Sequence, residues 1–216
     1  MKISVLCTDR SHPIFDEIEK WARTASNFGH IIDIADDKHQ LVGGDFLFLL
    51  SCSQKITKEI RQKYKFNLLL HASNLPEGRG WSPHIWTILN GKNKITVSLL
   101  EASDPIDSGD VWKKIEFNLM GHELLPEINK KLFEVEFLLM DFAILNYEII
   151  KPEPQKEFLG SPLLKRGLDD SRLYPEKSIA SQFNLLRVVD NERYPAFFDL
   201  KGCRYSIKIE KINTQD

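Results

Sequence analysis

Apolar runs alternate with amphipathic stretches through the first half of the chain. KISVLCT (2–8) is continuous and rich in strand formers, and the segment from Phe15 to Phe28 repeats its apolar positions near a 3.6 period. That pair predicts a strand followed by a helix. HIIDIAD (30–36) and DFLFLLS (45–51) predict two more strands, ITKEIRQKY (56–64) a helix, and FNLLLH (66–71) a fourth strand. Strands separated by helical stretches imply a doubly wound α/β sheet, parallel and covered on both faces. Such sheets take ligands beyond the carboxyl ends of their strands, where the strand order switches. His71 ends one of those strands.

SPHIWTILNG (82–91) predicts a short helix stopped by Gly91, ITVSLLEA (95–102) another strand, and DPIDSGDVW (104–112) an acidic turn leading into the strand VWKKIEF. From His122 to Tyr147 one long helix is expected, with Leu124, Ile128, Leu132, Val135, Leu139 and Phe142 on its apolar stripe. The pattern changes at 151–177, where Pro, Gly and charge dominate and a linker is expected. A helix over 178–188 and two strands, FFDLKG and CRYSIKIEKI, meeting near Lys201 and Gly202, follow. The predicted organisation is therefore a main domain over 1–150, a linker over 151–177 and a small strand-containing module over 178–216.

Composition alters this picture little. With 42% hydrophobic and 28% charged residues among 216, the chain is that of a globular protein. Its formal charge of −2 lends no electrostatic support to a nucleic-acid partner, since Lys and Arg neutralisation of phosphates dominates such binding. No apolar run approaches a membrane span and the N-terminal residues lack a signal-peptide pattern, so a cytoplasmic location is expected. Cys7, Cys52 and Cys203 lie far apart without CxxC spacing, and the histidines do not cluster as ligands, so no metal site is expected.

HASNLPEGRGWSPH (71–84) concentrates the candidate chemistry. If the strand starting at 95 lies beside the strand ending at His71, the loop carrying Asp107 emerges at the same edge and brings a carboxylate to an imidazole. Such a pair can move a proton near neutral pH or stabilise an oxyanion. The plainer reading makes His71 a strand-end residue bonded to backbone and Asp107 a turn former in DSG. Trp81 and Trp86 are expected in the core, His84 on a helix surface, and Arg79 and Gly80 as shapers of the loop.

The run HASNLPEGRGWSPHIWTILNG, followed by ITVSLLEASDPIDSGDV, resembles the signature of the folate-dependent formyltransferases: Asn-x-His-x-Ser-Leu-Leu-Pro-x-x-Arg-Gly, then Pro, Trp, Gly and a final Asp-Thr-Gly-Asp. His71, Ser73, Leu75, Pro76, Arg79, Gly80, Pro83, Trp86, Gly91, Asp107, Gly109 and Asp110 fall at matching positions. The resemblance returns in SIASQFNLLRVVDNERYPAFFDLKGCRYSIKIEKI, similar to the end of sugar and methionyl-tRNA formyltransferases, while DDSRLYPEKSI is most like the versions acting on nucleotide-linked amino sugars. It implies a Rossmann-like formyltransferase domain and transfer of a formyl group from N10-formyltetrahydrofolate to the amine of a UDP- or dTDP-linked amino sugar, without a metal.

In that scheme His71 and Asp107 remove the amine proton, and His71 with Asn74 stabilises the oxyanion. Folate would contact Ser73, Asn74, Leu75 and Pro76 together with Ser103 and Asp104. Arg79, Asn184, Arg187, Tyr194 and Phe198 are the candidate substrate contacts, the last four being equally suited to joining the two modules. One departure stands out: Leu69 replaces the family's asparagine, leaving Asn74, or alternatively Asn67, to supply its function. That departure also motivates the alternative of a catalytically weakened folate or nucleotide-sugar binding protein. Formylation of methionyl-tRNA is the third reading, and the strand-rich C-terminus offers an edge for a homodimer.

Overall fold

A computed structural model describes residues 1–158 and 160–212. Leu159 and the last four residues of the predicted C-terminal module therefore lie outside the described residues. The chain forms β1 (Lys2–Leu6), α1 (Ile14–Asn27), β2 (Ile31–Ala35), β3 (Gly44–Leu49), α2 (Lys58–Arg61) and β4 (Tyr64–His71). α3 (Pro83–Leu89), β5 (Lys94–Glu101), β6 (Val111–Asn118) and α4 (Leu125–Asn146) follow, then α5 (Phe183–Leu186), β7 (Ala196–Leu200) and β8 (Cys203–Ile207). Six strands form one sheet in the order β2-β1-β3-β4-β5-β6, and β7 pairs with β8 separately.

The first four strands of that order are parallel, but β5 runs antiparallel to β4 and β6 antiparallel to β5. The α3 connection returns the chain instead of crossing the sheet, because Ile85 and Ile88 pack with Ile95 of β5, Ile128 of α4 and Val188. The predicted all-parallel sheet is thus a mixed one.

Alternation within the strands sends Ile3, Val5, Phe46, Phe48, Leu68 and Leu70 to one face, where α1 and α4 cover them with Ile14, Ile18, Trp21, Leu132, Leu139 and Met140. Each such large side chain contributes on the order of 1.5–3 kcal/mol by leaving water. Leu6, Leu47 and Leu49 point to the other face, which is closed chiefly by Leu41, Ile56 and Tyr64. The helix expected over 56–64 shrinks to the four residues of α2, because Tyr64 already belongs to β4 and donates its hydroxyl to Ser4 Oγ at 2.9 Å.

α4 begins with Pro126 in its first turn, and the Glu127 carboxylate accepts from the Leu124 N–H at 2.8 Å. The helix expected over 178–188 is a short 3-10 turn (Ala180–Gln182) followed by α5. β7 and β8 are joined by Lys201 and Gly202, both with positive φ (51° and 81°), the two-residue turn that matches strand twist.

The segment read as a linker runs back across the main sheet. Glu153 exchanges both backbone hydrogen bonds with Val111 at 2.8 Å. Leu163 donates to the Arg79 carbonyl at 2.7 Å and accepts from the Trp81 N–H at 3.0 Å.

Candidate active site

β1 lies between β2 and β3, so the strand order reverses there, and a cavity of about 620 Å³ opens beyond the carboxyl ends of β1, β3 and β4. Thr8, Asp9 and His12 line it after β1, Ser51 to Ile56 after β3, and His71 with Ala72 at the end of β4.

β5 ends beside Leu68, so its following loop starts at the opposite end from where the sequence reading placed it. The loop turns back instead. Ala102 donates to the Asn67 carbonyl at 2.8 Å and packs with the Leu49–Ile56 cluster, and the chain then travels over that face to reach His71. Asp107 sits there with left-handed backbone (φ 59°), a conformation that Asp tolerates better than most residues. Ser51 (φ 46°) and Ser82 (φ 47°) also line the cavity, so left-handed non-glycine residues gather around it.

His71 Nδ1 lies 3.7 Å from Asp107 Oδ1, and both side chains are buried. The Gly78 carbonyl accepts from His71 Nε2 at 2.8 Å, which assigns a proton to Nε2 and leaves Nδ1 as the position that gains or loses one. Asp107 Oδ2 accepts from the Gly80 N–H at 3.0 Å. Gly80 (φ 106°) passes so close to Leu163 that an added Cβ would lie 2.4 Å from its carbonyl oxygen. Gln155, from the returning segment, donates to the Asp107 and Gly109 carbonyls at 2.9 and 2.7 Å and accepts from Arg79 at 2.9 Å. The carboxylate that faces His71 is therefore held from both sides of its loop.

The other residues singled out in the sequence scatter. Ser103 and Asp104 line the cavity, with Asp104 held below the usual carboxylate range by hydrogen bonds from Arg61 (2.6 Å) and then Lys55. Ser73, Asn74, Leu75 and Pro76 do not line it. Asn74 is exposed and accepts from Lys114 Nζ at 2.8 Å, and Asn67 donates to the Arg61 carbonyl at 2.9 Å, so neither amide reaches the cavity, whereas Leu69 does. Arg79 stacks its guanidinium on Phe158 at 5.1 Å, outside the cavity.

Of the C-terminal residues, Tyr194 lines the cavity. Asn184 does not, and Phe198 stacks on Tyr205 in the small sheet. Arg187 is 1% exposed and donates to the Glu123 carbonyl (2.9 Å), Glu123 Oε2 (3.3 Å) and Asn93 Oδ1 (3.0 Å), which ties the end of α5 to the segments before β5 and α4. Burial alone would push the Glu123 carboxyl up, but N–H groups from Met120 and the Lys131 ammonium outweigh it and bring the pKa to about 2.

Several cavity residues were not anticipated. His84, expected on a surface, has a buried ring Nδ1 without a partner, and burial, with His12 and His71 adding to it, pushes its pKa down to about 4. His12 is shifted down by burial and then by Arg193. Glu136 projects from α4, and burial raises its carboxyl to about 8. Among the described residues, no three His, Cys, Asp or Glu side chains are placed to hold a metal ion, and no helix is long and apolar enough to cross a membrane.

No family model matches the chain. It is 33% identical over 116 residues to methionyl-tRNA formyltransferase of Clostridium tetani, an alignment covering 52% of this chain and 37% of that one. Methionyl-tRNA formyltransferase from Clostridium thermocellum superposes with a TM-score of 0.82 at 21% identity, covering 100% of this chain and 95% of the other. The chain has the formyltransferase fold. The same fold recurs in a sugar N-formyltransferase from a Shewanella species (TM-score 0.70, 14% identity, 99% of each chain). It recurs again in HypX from Aquifex aeolicus, solved with tetrahydrofolic acid (TM-score 0.77, 22% identity, 97% of this chain and 37% of that one). Against the first curated formyltransferases that it matches, the chain spans between 34% and 51% of their length.

Proposed function

We propose that this chain transfers a formyl group from N10-formyltetrahydrofolate to the primary amine of a nucleotide-linked amino sugar. The observation that carries the reading is the His71–Asp107 pair, 3.7 Å apart at the wall of a 620 Å³ cavity on a formyltransferase fold. The fit to folate rests on the apolar part of that cavity's lining. Leu49, Ile56, Leu69, Ala102 and Ile106 form it, an apolar surface suited to a flat pterin, with Ser103 and Asp104 as its polar edge.

The co-substrate supplies the formyl carbon. Attack by the amine nitrogen forms the new C–N bond, the bond to N10 breaks, and the proton lost by the amine balances the one gained at N10. Within the chain, His71 Nδ1 receives a proton while Asp107 stabilises the charge that develops on the ring. The Gly78 carbonyl and the Gly80 N–H fix imidazole and carboxylate in that orientation.

Formylation of methionyl-tRNA is the second reading, favoured by the activity named for the curated relatives. Incubating the purified chain with N10-formyltetrahydrofolate and UDP-amino sugars, dTDP-amino sugars or methionyl initiator tRNA distinguishes them. His71→Ala and Asp107→Asn are expected to lower kcat by roughly 100-fold or more, the scale of a lost general base. Undiminished turnover in both variants removes the catalytic assignment.

A further inference from the structure

The cavity lining carries further polar side chains besides His71 and Asp107. Asn129 and Glu136, two helical turns apart on α4, line the cavity together with Leu125, Leu132 and Phe133. Glu136 is 7% exposed, and its Oε2 has no hydrogen-bond partner. From the first turn of α3, His84 contributes a ring Nδ1 that is also buried and unpartnered. Two orphaned polar atoms from two helices in the lining of one cavity cost stability unless a ligand or water pairs with them.

We propose that Glu136, with Asn129 and His84, forms an acceptor subsite that binds hydroxyl groups of a sugar and discriminates against an aliphatic or thioether side chain. The proposal rests on the formyltransferase reading and deepens it by naming what the acceptor presents beside its amine.

Burial keeps Glu136 as the neutral acid near pH 7 and His84 as the neutral imidazole. These two side chains then offer donors and acceptors without charge. A hydroxyl group, with one donor and two lone pairs, meets both needs. An aliphatic group would leave each polar atom unpaired, and sites built to bond a polar group reject analogues that lack it by roughly 10⁴-fold or more. Of the charged residues in the cavity lining, Asp9 and Asp190 each lie 3.1 Å from Arg193, while Lys165 and Arg166 also line it.

The test compares the full chain with Glu136→Leu and Glu136→Gln, using UDP- and dTDP-amino sugars and methionyl initiator tRNA as acceptors. Glu136→Leu is expected to lower kcat/KM for the amino sugar at least about tenfold, mainly through KM, with tetrahydrofolate affinity unchanged and melting temperature no lower than that of the parent. Glu136→Gln, which keeps a donor and an acceptor, is expected to recover most of the loss. Equal kcat/KM in the parent and Glu136→Leu overturns the subsite, as does a parent that prefers methionyl-tRNA. Calorimetry separates the two levels of failure. If the parent binds tetrahydrofolate but formylates no acceptor, the enzymatic reading falls. Equal affinity of the parent and Glu136→Leu for a UDP-amino sugar, or no binding by either, overturns the subsite on its own.

Discussion

Replacing Glu136 by glutamine is expected to stabilise the fold, by an amount that grows with pH. The native carboxyl is raised from 4.5 to about 8 by burial, so between those values the folded state holds a proton that the unfolded state has released. Stability therefore falls as pH rises through that window, by up to about 1.4 kcal/mol per unit. Glutamine has no such penalty. Integrated from the unfolded value, its advantage is below about 1 kcal/mol at pH 5 and reaches about 3 kcal/mol at pH 7. For a chain of this size, that corresponds to roughly 6–12 °C in melting temperature at neutral pH. Other titrating groups around the cavity do not mimic the effect. His12 and His84, both shifted down, lose stability as pH falls below the ordinary histidine value, and do so in both proteins. Cys7, raised to about 11 chiefly by burial, with Glu136 a minor contributor, stays protonated throughout. Denaturant unfolding of both proteins at pH 5, 6, 7 and 8 reads the difference directly. Parallel stability curves would show that Glu136 is not held as a neutral acid and would refute the reasoning.

Asn74→Ala is expected to change kcat by less than about threefold, because its amide binds Lys114 outside the cavity; a loss near the 100-fold typical of an oxyanion donor would restore the role read for it from sequence. Leu69→Asn places an amide where the formyltransferase signature has one, on a residue that already lines the cavity, and is expected to raise kcat by about tenfold or more in the formyl-transfer assay; an unchanged rate would mean that the oxyanion is stabilised without that group. Arg187→Met removes the guanidinium from a buried carboxylate 3.3 Å away and is expected to cost about 3 kcal/mol in urea unfolding. The low end of the usual range is expected because Lys131 (2.9 Å) and two backbone N–H groups still hold Glu123, and a cost under about 1 kcal/mol would mean that the Arg187–Glu123 pair does not hold this part of the chain together.

Local pattern carried β4 and α4 well. The run FNLLLH is apolar up to a histidine, and the structure ends the strand there. Strand direction was not carried. Periodicity is the same for a strand read either way, so the antiparallel turn of β5 depends on where Ile85 and Ile88 find apolar partners. ITKEIRQKY spaces Ile56, Ile60 and Tyr64 four apart, which is helical spacing, yet Tyr64 is fixed by a hydroxyl bond to Ser4, sixty residues earlier. Glu136 did leave a trace. It falls four residues after Leu132 and four before Met140, so a charged residue stood on the apolar stripe of the predicted helix.

Pro, Gly and charge made 151–177 look like a linker, because composition describes side chains while this segment is fixed largely through its backbone. Glu153 pairs with Val111 and Leu163 with Arg79 and Trp81, interactions that any residue but proline can make. Gln155 then uses one amide to tie the Asp107 loop to Arg79. Farther along, Lys165, Arg166, Gly167 and Ser171 line the cavity. One segment thus braces the carboxylate beside His71 and forms part of the cavity lining. The Trp86 indole donates to the Leu164 carbonyl at 3.2 Å, so the returning chain also reaches α3. An isolated helix pattern contains no sign of such a contact, because the partner lies 78 residues farther along the chain.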